Sequence, residues 1–127
     1  MHAYKVVSRM SGSSSIKKLE TYTIAKKLVI DCYEITHDLN KEEKTKLTTY
    51  LRDAAVTAFI NIAQGVFLKK KKKRKKFIQV AQHALVIIDA AIEVLVETRL
   101  ATEEQTLPIL QNSSVCYQLL NDMKKKD

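Results

Sequence analysis

Two glycines and one proline are all that interrupt the 127 residues of this chain, and that scarcity of breakers constrains the fold more than any other feature. Tight turns and strand reversals draw on glycine and proline. A chain with almost none, whose apolar residues recur at intervals of three and four, is restricted to long helices joined by short polar breaks. The pattern predicts four. A first helix runs from about Ile16 to His37, with Leu19, Tyr22, Val29, Cys32, Tyr33 and Ile35 on or near one stripe and Ser15 as its N-cap. The sequence DLNKEEK then breaks the pattern, and Asn40 followed three residues later by Glu43 makes a capping box for a second helix. That helix carries Leu47, Leu51, Ala55, Ala58 and Ile62 on one face and ends at Gly65. A third helix emerges from a run of lysines and continues to about Leu100; lysine is a good helix former, so its first residue stays open within Lys69 to Lys76. Thr102 and Gln105 form another capping box, opening a fourth helix through Val115, Leu119 and Leu120 towards a lysine-rich tail. Pro108 either kinks its start or moves the cap to Thr106.

Helices of about twenty residues are ~30 Å long, and short breaks lay sequence neighbours side by side in opposite directions. The expected architecture is an all-α, antiparallel up-down four-helix bundle over residues 16–123, after a flexible leader (1–15) and before a basic tail (124–127). With 46% hydrophobic residues the chain supports one core and is too short for two. The third helix is apolar on nearly every face from Ala84 to Val96, apart from Asp89 and Glu93. A helix at the edge of a small monomer shows a wider polar face, so the surplus points to self-association, with central burial as the alternative.

Charge is concentrated in one place. The net charge of +8 comes from 22 basic and 14 acidic residues, and eight of the basic ones are consecutive: Lys69, Lys70, Lys71, Lys72, Lys73, Arg74, Lys75 and Lys76. Outside that run the signs balance. A local patch of this kind suits a polyanion, because neutralising phosphates releases condensed counterions. No aromatic residue interleaves the lysines for base stacking, so contacts are expected to go to phosphate with little sequence preference. Lys17, Lys18 and Lys124 to Lys126 are candidates to extend the patch. The competing readings of the run are a solvated connection and an anchor on an anionic lipid surface.

Other chemistries find little support. Glu34 and His37 have the Glu-x-x-His spacing of a di-iron bundle, but such a site needs a second copy and two further glutamates. Asp89, Glu93 and Glu97 form a carboxylate row at helical spacing that reads as a solvated face, and His83 reads as a surface or satisfied core histidine. Cys32 and Cys116 are far apart in apolar surroundings, which fits a reduced cytoplasmic protein and argues against zinc. There is no nucleophile elbow, phosphate-binding glycine loop or dinucleotide fingerprint. No enzyme and no cofactor are expected. Residues 77–96 have the length of a membrane span, but Gln79, Gln82, His83, Asp89 and Glu93 argue against one, and no secretory signal is visible.

The segment LTTYLRDAAVTAFINIAQGVF, Leu47 to Phe67, resembles the signature of four-helix-bundle proteins encoded within intervening sequences of bacterial 23S ribosomal RNA genes. The matching positions are Leu47, Thr48, Arg52, Ala54 or Ala55, Val56, Asn61, Ile62, Ala63 and Gly65, and LETYTIAKKLVIDCYEIT resembles the first helix of that family. Gln64, Phe59 and Lys76 stand where the family carries Glu, Pro and Glu. The resemblance implies a homo-oligomeric ring, commonly a pentamer, associated with RNA, in this case ribosomal RNA, and no catalysis. Similar bundles serve as accessory subunits of reverse transcriptases in diversity-generating retroelements, so a protein-interaction scaffold is the alternative function. Arg52, Asn61 and Gly65 are expected to be structural. A buried Asn61 would need partners for its amide and would fix register within the bundle.

Overall fold

Four segments take up helix in the computed structural model, which describes residues 15–37, 39 and 46–126. They are α1 (Ser15–His37), α2 (Lys46–Gly65), α3 (Lys71–Glu97) and α4 (Glu103–Lys125), and no strand occurs among the described residues. Ser15 is the first helical residue rather than a cap flanking it. The expected Asn40–Glu43 capping box lies outside the described residues. The second box is present: the Thr102 hydroxyl accepts from the Gln105 N–H at 3.1 Å, and the Gln105 side chain accepts from the Thr102 N–H at 3.0 Å. Pro108 therefore sits inside α4 without moving its cap to Thr106. Instead, the Thr106 hydroxyl donates back to the Thr102 carbonyl at 3.0 Å. Arg99 ends the α3–α4 connection's first turn with φ 63, the left-handed conformation that commonly terminates a helix.

Each helix packs against two others in the cyclic order α1, α2, α3, α4. Along the α2–α3 seam Tyr50 shares a groove with Ile87, Asn61 shares one with Phe77, and Gly65 abuts Phe77. Leu28, Leu51, Ile62, Ile78, Leu85, Ile88, Ile92, Leu95, Ile109 and Leu120 are fully buried between them. Cys32 and Cys116 are core side chains with no disulfide, and burial, aided at Cys32 by the charge of Asp31, pushes both thiols up to about 12.

The buried face of α1 differs from the expected stripe. Thr21, Tyr22, Ala25, Leu28, Cys32 and Thr36 face the core, whereas Tyr33 is exposed. Two threonines hide this face in the sequence. Their hydroxyls are satisfied within the helix, Thr21 on the Lys17 carbonyl at 2.7 Å and Thr36 on the Cys32 carbonyl at 2.8 Å, so polar residues sit in the core without a desolvation penalty. Exposed Tyr33 has its own task. Arg52 of α2 lies over its ring, 4.4 Å from the centroid, donates to the Thr36 hydroxyl at 2.7 Å and reaches the Tyr33 carbonyl at 3.3 Å. A cation thereby meets the carbonyl end of α1, where the helix dipole favours it. Phe59 packs on Tyr22 with ring centroids 5.2 Å apart.

Small residues are buried on both helices, Ala54, Ala55 and Ala58 on α2 and Ala81, Ala84 and Ala91 on α3, and Ala54 and Ala84 line one groove along the α2–α3 seam. Gly65 completes it. This residue ends α2, as expected, and a Cβ there would overlap the Cβ of Phe77. That atom is fixed to the α3 backbone and cannot swing aside. Replacing Gly65 by alanine adds helix propensity of about 1 kcal/mol, but forcing the helices apart costs about 1–3 kcal/mol. Gly65→Ala is expected to lower the stability measured by urea denaturation; an unchanged or raised midpoint would contradict the close approach.

Candidate nucleic-acid interface

The basic run straddles the start of α3. Lys69 and Lys70 lie in the connection, with Lys70 as N-cap, and Lys71 to Lys76 form the first turns of the helix. The cap makes no side-chain hydrogen bond and the first turn holds no acidic residue. This arrangement opposes the usual preference, since the N-terminus of a helix already carries partial positive charge and disfavours cations by about 0.3–1 kcal/mol each. In α4 the order is conventional, with Glu103 and Glu104 in the first turn and Lys124 and Lys125 in the last. An anion-binding role is one physical reason to keep positive charge on a positive helix end.

Lys69, Lys70, Lys71, Lys72, Lys73, Lys75 and Lys76 are all exposed. No carboxylate of the described residues pairs with Lys69, Lys70, Lys72, Lys73, Lys75 or Lys76. Arg74 is the exception and corrects the expectation that all eight cations face a ligand. It is only 7% exposed. One guanidinium nitrogen donates to the Leu68 and Lys69 carbonyls, both at 3.2 Å, and the other to the Lys126 carbonyl at 2.5 Å. A planar fork suits such converging acceptors where an ammonium does not. Arg74 therefore closes the α2–α3 connection and ties it to the end of α4. The sequence carried a signal for this: Arg74 stands four residues before Ile78 and seven before Ala81, on the buried stripe of α3, and it is the single arginine among lysines.

The other expected site residues separate from the patch. Asn61 is half-buried, and its amide donates to the Thr57 carbonyl of its own helix at 2.8 Å. A bond within one helix cannot fix register between helices, so that expected role falls. A buried polar residue that does cross the α3–α4 seam is Gln82, which the sequence marked only as an obstacle to membrane insertion. Its carbonyl accepts from Lys124 at 2.9 Å, and its amide points to the Tyr117 carbonyl and Asn121 of α4 at 3.4 and 3.5 Å. Lys124 is thereby drawn away from any basic surface. Arg52 and Gly65 are structural in the ways described above.

Glu34, His37, His83, Asp89, Glu93 and Glu97 are exposed, and no group of His, Cys, Asp and Glu suited to a metal ion occurs among the described residues. Burial raises the pKa of Asp89, a shift that the nearby Ser113 hydroxyl opposes, although no hydrogen bond of normal geometry satisfies that hydroxyl. Beside the patch, Lys73 and Lys76 flank a groove formed by Asn61, Leu68, Phe77 and Val80. It continues past His83 to Tyr50 and Ile87. Tyr50, Val80 and Ile87 are exposed large apolar side chains on this face. α3 is long and apolar enough by composition to cross a membrane, yet half of its most apolar window is buried in the bundle.

Comparison with known proteins gives one match. The family model for 23S rRNA-intervening sequence proteins matches residues 17–122, which takes in all four helices apart from a few terminal residues. No curated protein and no solved structure matches the chain. With four helices, a match over most of the chain and the motif of α2 in agreement, the chain belongs to the 23S rRNA-intervening sequence protein family.

Proposed function

We propose that this protein is a non-catalytic RNA-associated factor of the bacterial cytoplasm that binds ribosomal RNA through the seven exposed lysines of Lys69–Lys73, Lys75 and Lys76. The observation that carries this reading is their placement: all are exposed around the start of α3, on a helix terminus whose dipole adds to their field. Membership of a family described by its 23S rRNA intervening sequence supports RNA as the polyanion. Contacts go to phosphate and carry little sequence information.

If each exposed lysine meets one phosphate of single-stranded RNA, log affinity falls with log salt at a slope of about −5. Replacing Lys72, Lys73, Lys75 and Lys76 by glutamine is expected to reduce that slope by about 3, as read by fluorescence anisotropy across a potassium chloride series. A slope near zero in the native protein, or one untouched by the four substitutions, would refute the reading.

The exposed apolar side chains of the α2–α3 face support a further part of the proposal, a homo-oligomeric ring, with five protomers as implied by the family resemblance. A ring would repeat the lysine patch around one rim. Light scattering on the eluted protein is expected to give a mass several times 14.5 kDa. Ile87→Lys, which puts a charge in that face, is expected to return it to the protomer mass. A native protein that runs as a monomer at micromolar concentration would contradict this part alone.

A further inference from the structure

The first turn of α1, the end of α2, Arg74 and the last turns of α4 surround a cavity of about 100 Å³ whose charged walls are Lys17, Lys18, Arg74, Asp122 and Lys126. Val66, Leu119 and Met123 complete the lining. Three features of this cavity point to an anion. First, it holds four cations against one carboxylate, and Asp122 forms no ion pair with any of them. Second, the Arg74 guanidinium is buried, yet each of its hydrogen-bond partners is a neutral backbone carbonyl. A charge removed from water with neutral partners alone keeps an electrostatic deficit that an approaching anion relieves. Third, the cavity at the other end of the bundle lacks this imbalance: its charged walls are Lys27, Asp31 and Glu34, with Lys27 and Asp31 paired at 3.0 Å.

Size and charge narrow the anion. A volume of about 100 Å³ is several times what one ordered water needs and well below the roughly 300 Å³ at which small-molecule pockets begin. It has room for a tetrahedral oxyanion. A phosphodiester inside a chain carries one charge and must leave the site in two directions. A phosphate monoester carries about −1.5 to −2 at pH 7 and leaves by a single bond, which suits a recess with four cations against one carboxylate. We propose that this cavity seats a phosphate monoester. The identity of its carrier rests on the RNA-binding reading above, and on that reading it is the phosphorylated end of an RNA chain.

The seat is tested without RNA by titrating inorganic phosphate into the isotope-labelled full-length protein at constant ionic strength. Saturable amide shifts at Lys17, Lys18 and Asp122 are expected, with affinity weakened by about fivefold or more, ~1 kcal/mol, in Lys17→Gln/Lys18→Gln. Shifts that are absent, or equal in native and variant protein, overturn it. One RNA sequence prepared with a 5′-phosphate, with a 3′-phosphate, or with hydroxyls at both ends then identifies the carrier. Tighter binding of either phosphorylated form, reduced to parity by Lys17→Gln/Lys18→Gln but not by Lys72→Gln/Lys73→Gln, is the expected result. Equal binding of all three overturns the assignment to an RNA end and leaves general RNA binding standing. Failure to bind any RNA sinks the earlier reading and the carrier with it, while the phosphate titration still decides the seat.

Discussion

The close approach of α2 and α3 is the constraint on which the rest of the structure depends. Alanines on both helices and Gly65 at the end of the seam let the two backbones draw together until a Cβ on Gly65 would overlap Phe77. That contact fixes where α3 starts and which way its first turn faces. Arg74 is consequently turned inward, where it gathers carbonyls from the connection and from the end of α4, while the lysines on either side of it are turned out. A run that is uniform in composition is thus divided by helical geometry into one buried cation and seven exposed ones.

The division matters for electrostatics. Four chain segments converge at this end of the bundle, and Lys17, Lys18, Lys69–Lys76 and Lys126 come together there with Asp122. Mutual repulsion and the dipoles of α1 and α3 both disfavour such a cluster. It persists because burial elsewhere holds the helices in place: the core is continuous from Leu28 to Leu120 and does not depend on the charged end. Stability is supplied by the seams, and the end of the bundle is left free to carry an unfavourable field that a polyanion relieves.

Much of this was legible in the sequence. Scarcity of glycine and proline together with three-and-four periodicity gave the helices, and the Thr102–Gln105 box marked the start of α4 because its geometry is local. Family membership was carried by the α2 motif. What escaped was whatever depended on packing between helices. The core face of α1 was obscured by Thr21 and Thr36, whose hydroxyls bond within their own helix. Asn61 looked like a buried register pin and proved half-exposed, whereas Gln82 held the α3–α4 seam. Gly65 ends α2 as expected, but its contact with Phe77 could not be read from the sequence. Arg74 was hidden by its neighbours, since a residue-by-residue reading counts charge and the buried stripe becomes visible only when α3 is extended back to Lys71.

The partition of the basic run into one buried and seven exposed cations is tested most directly by Arg74→Lys, which leaves net charge unchanged. Loss of the guanidinium fork removes hydrogen bonds to a charged donor, so a destabilisation of about 2 kcal/mol is expected, seen as a fall in Tm of roughly 5–15 °C. Affinity of the folded protein at 20 °C below that Tm for RNA with hydroxyls at both ends, which leaves the phosphate seat empty, should stay within about twofold, because the exposed lysines are preserved. An unchanged Tm with markedly weaker RNA binding would place Arg74 in the interface and contradict the account.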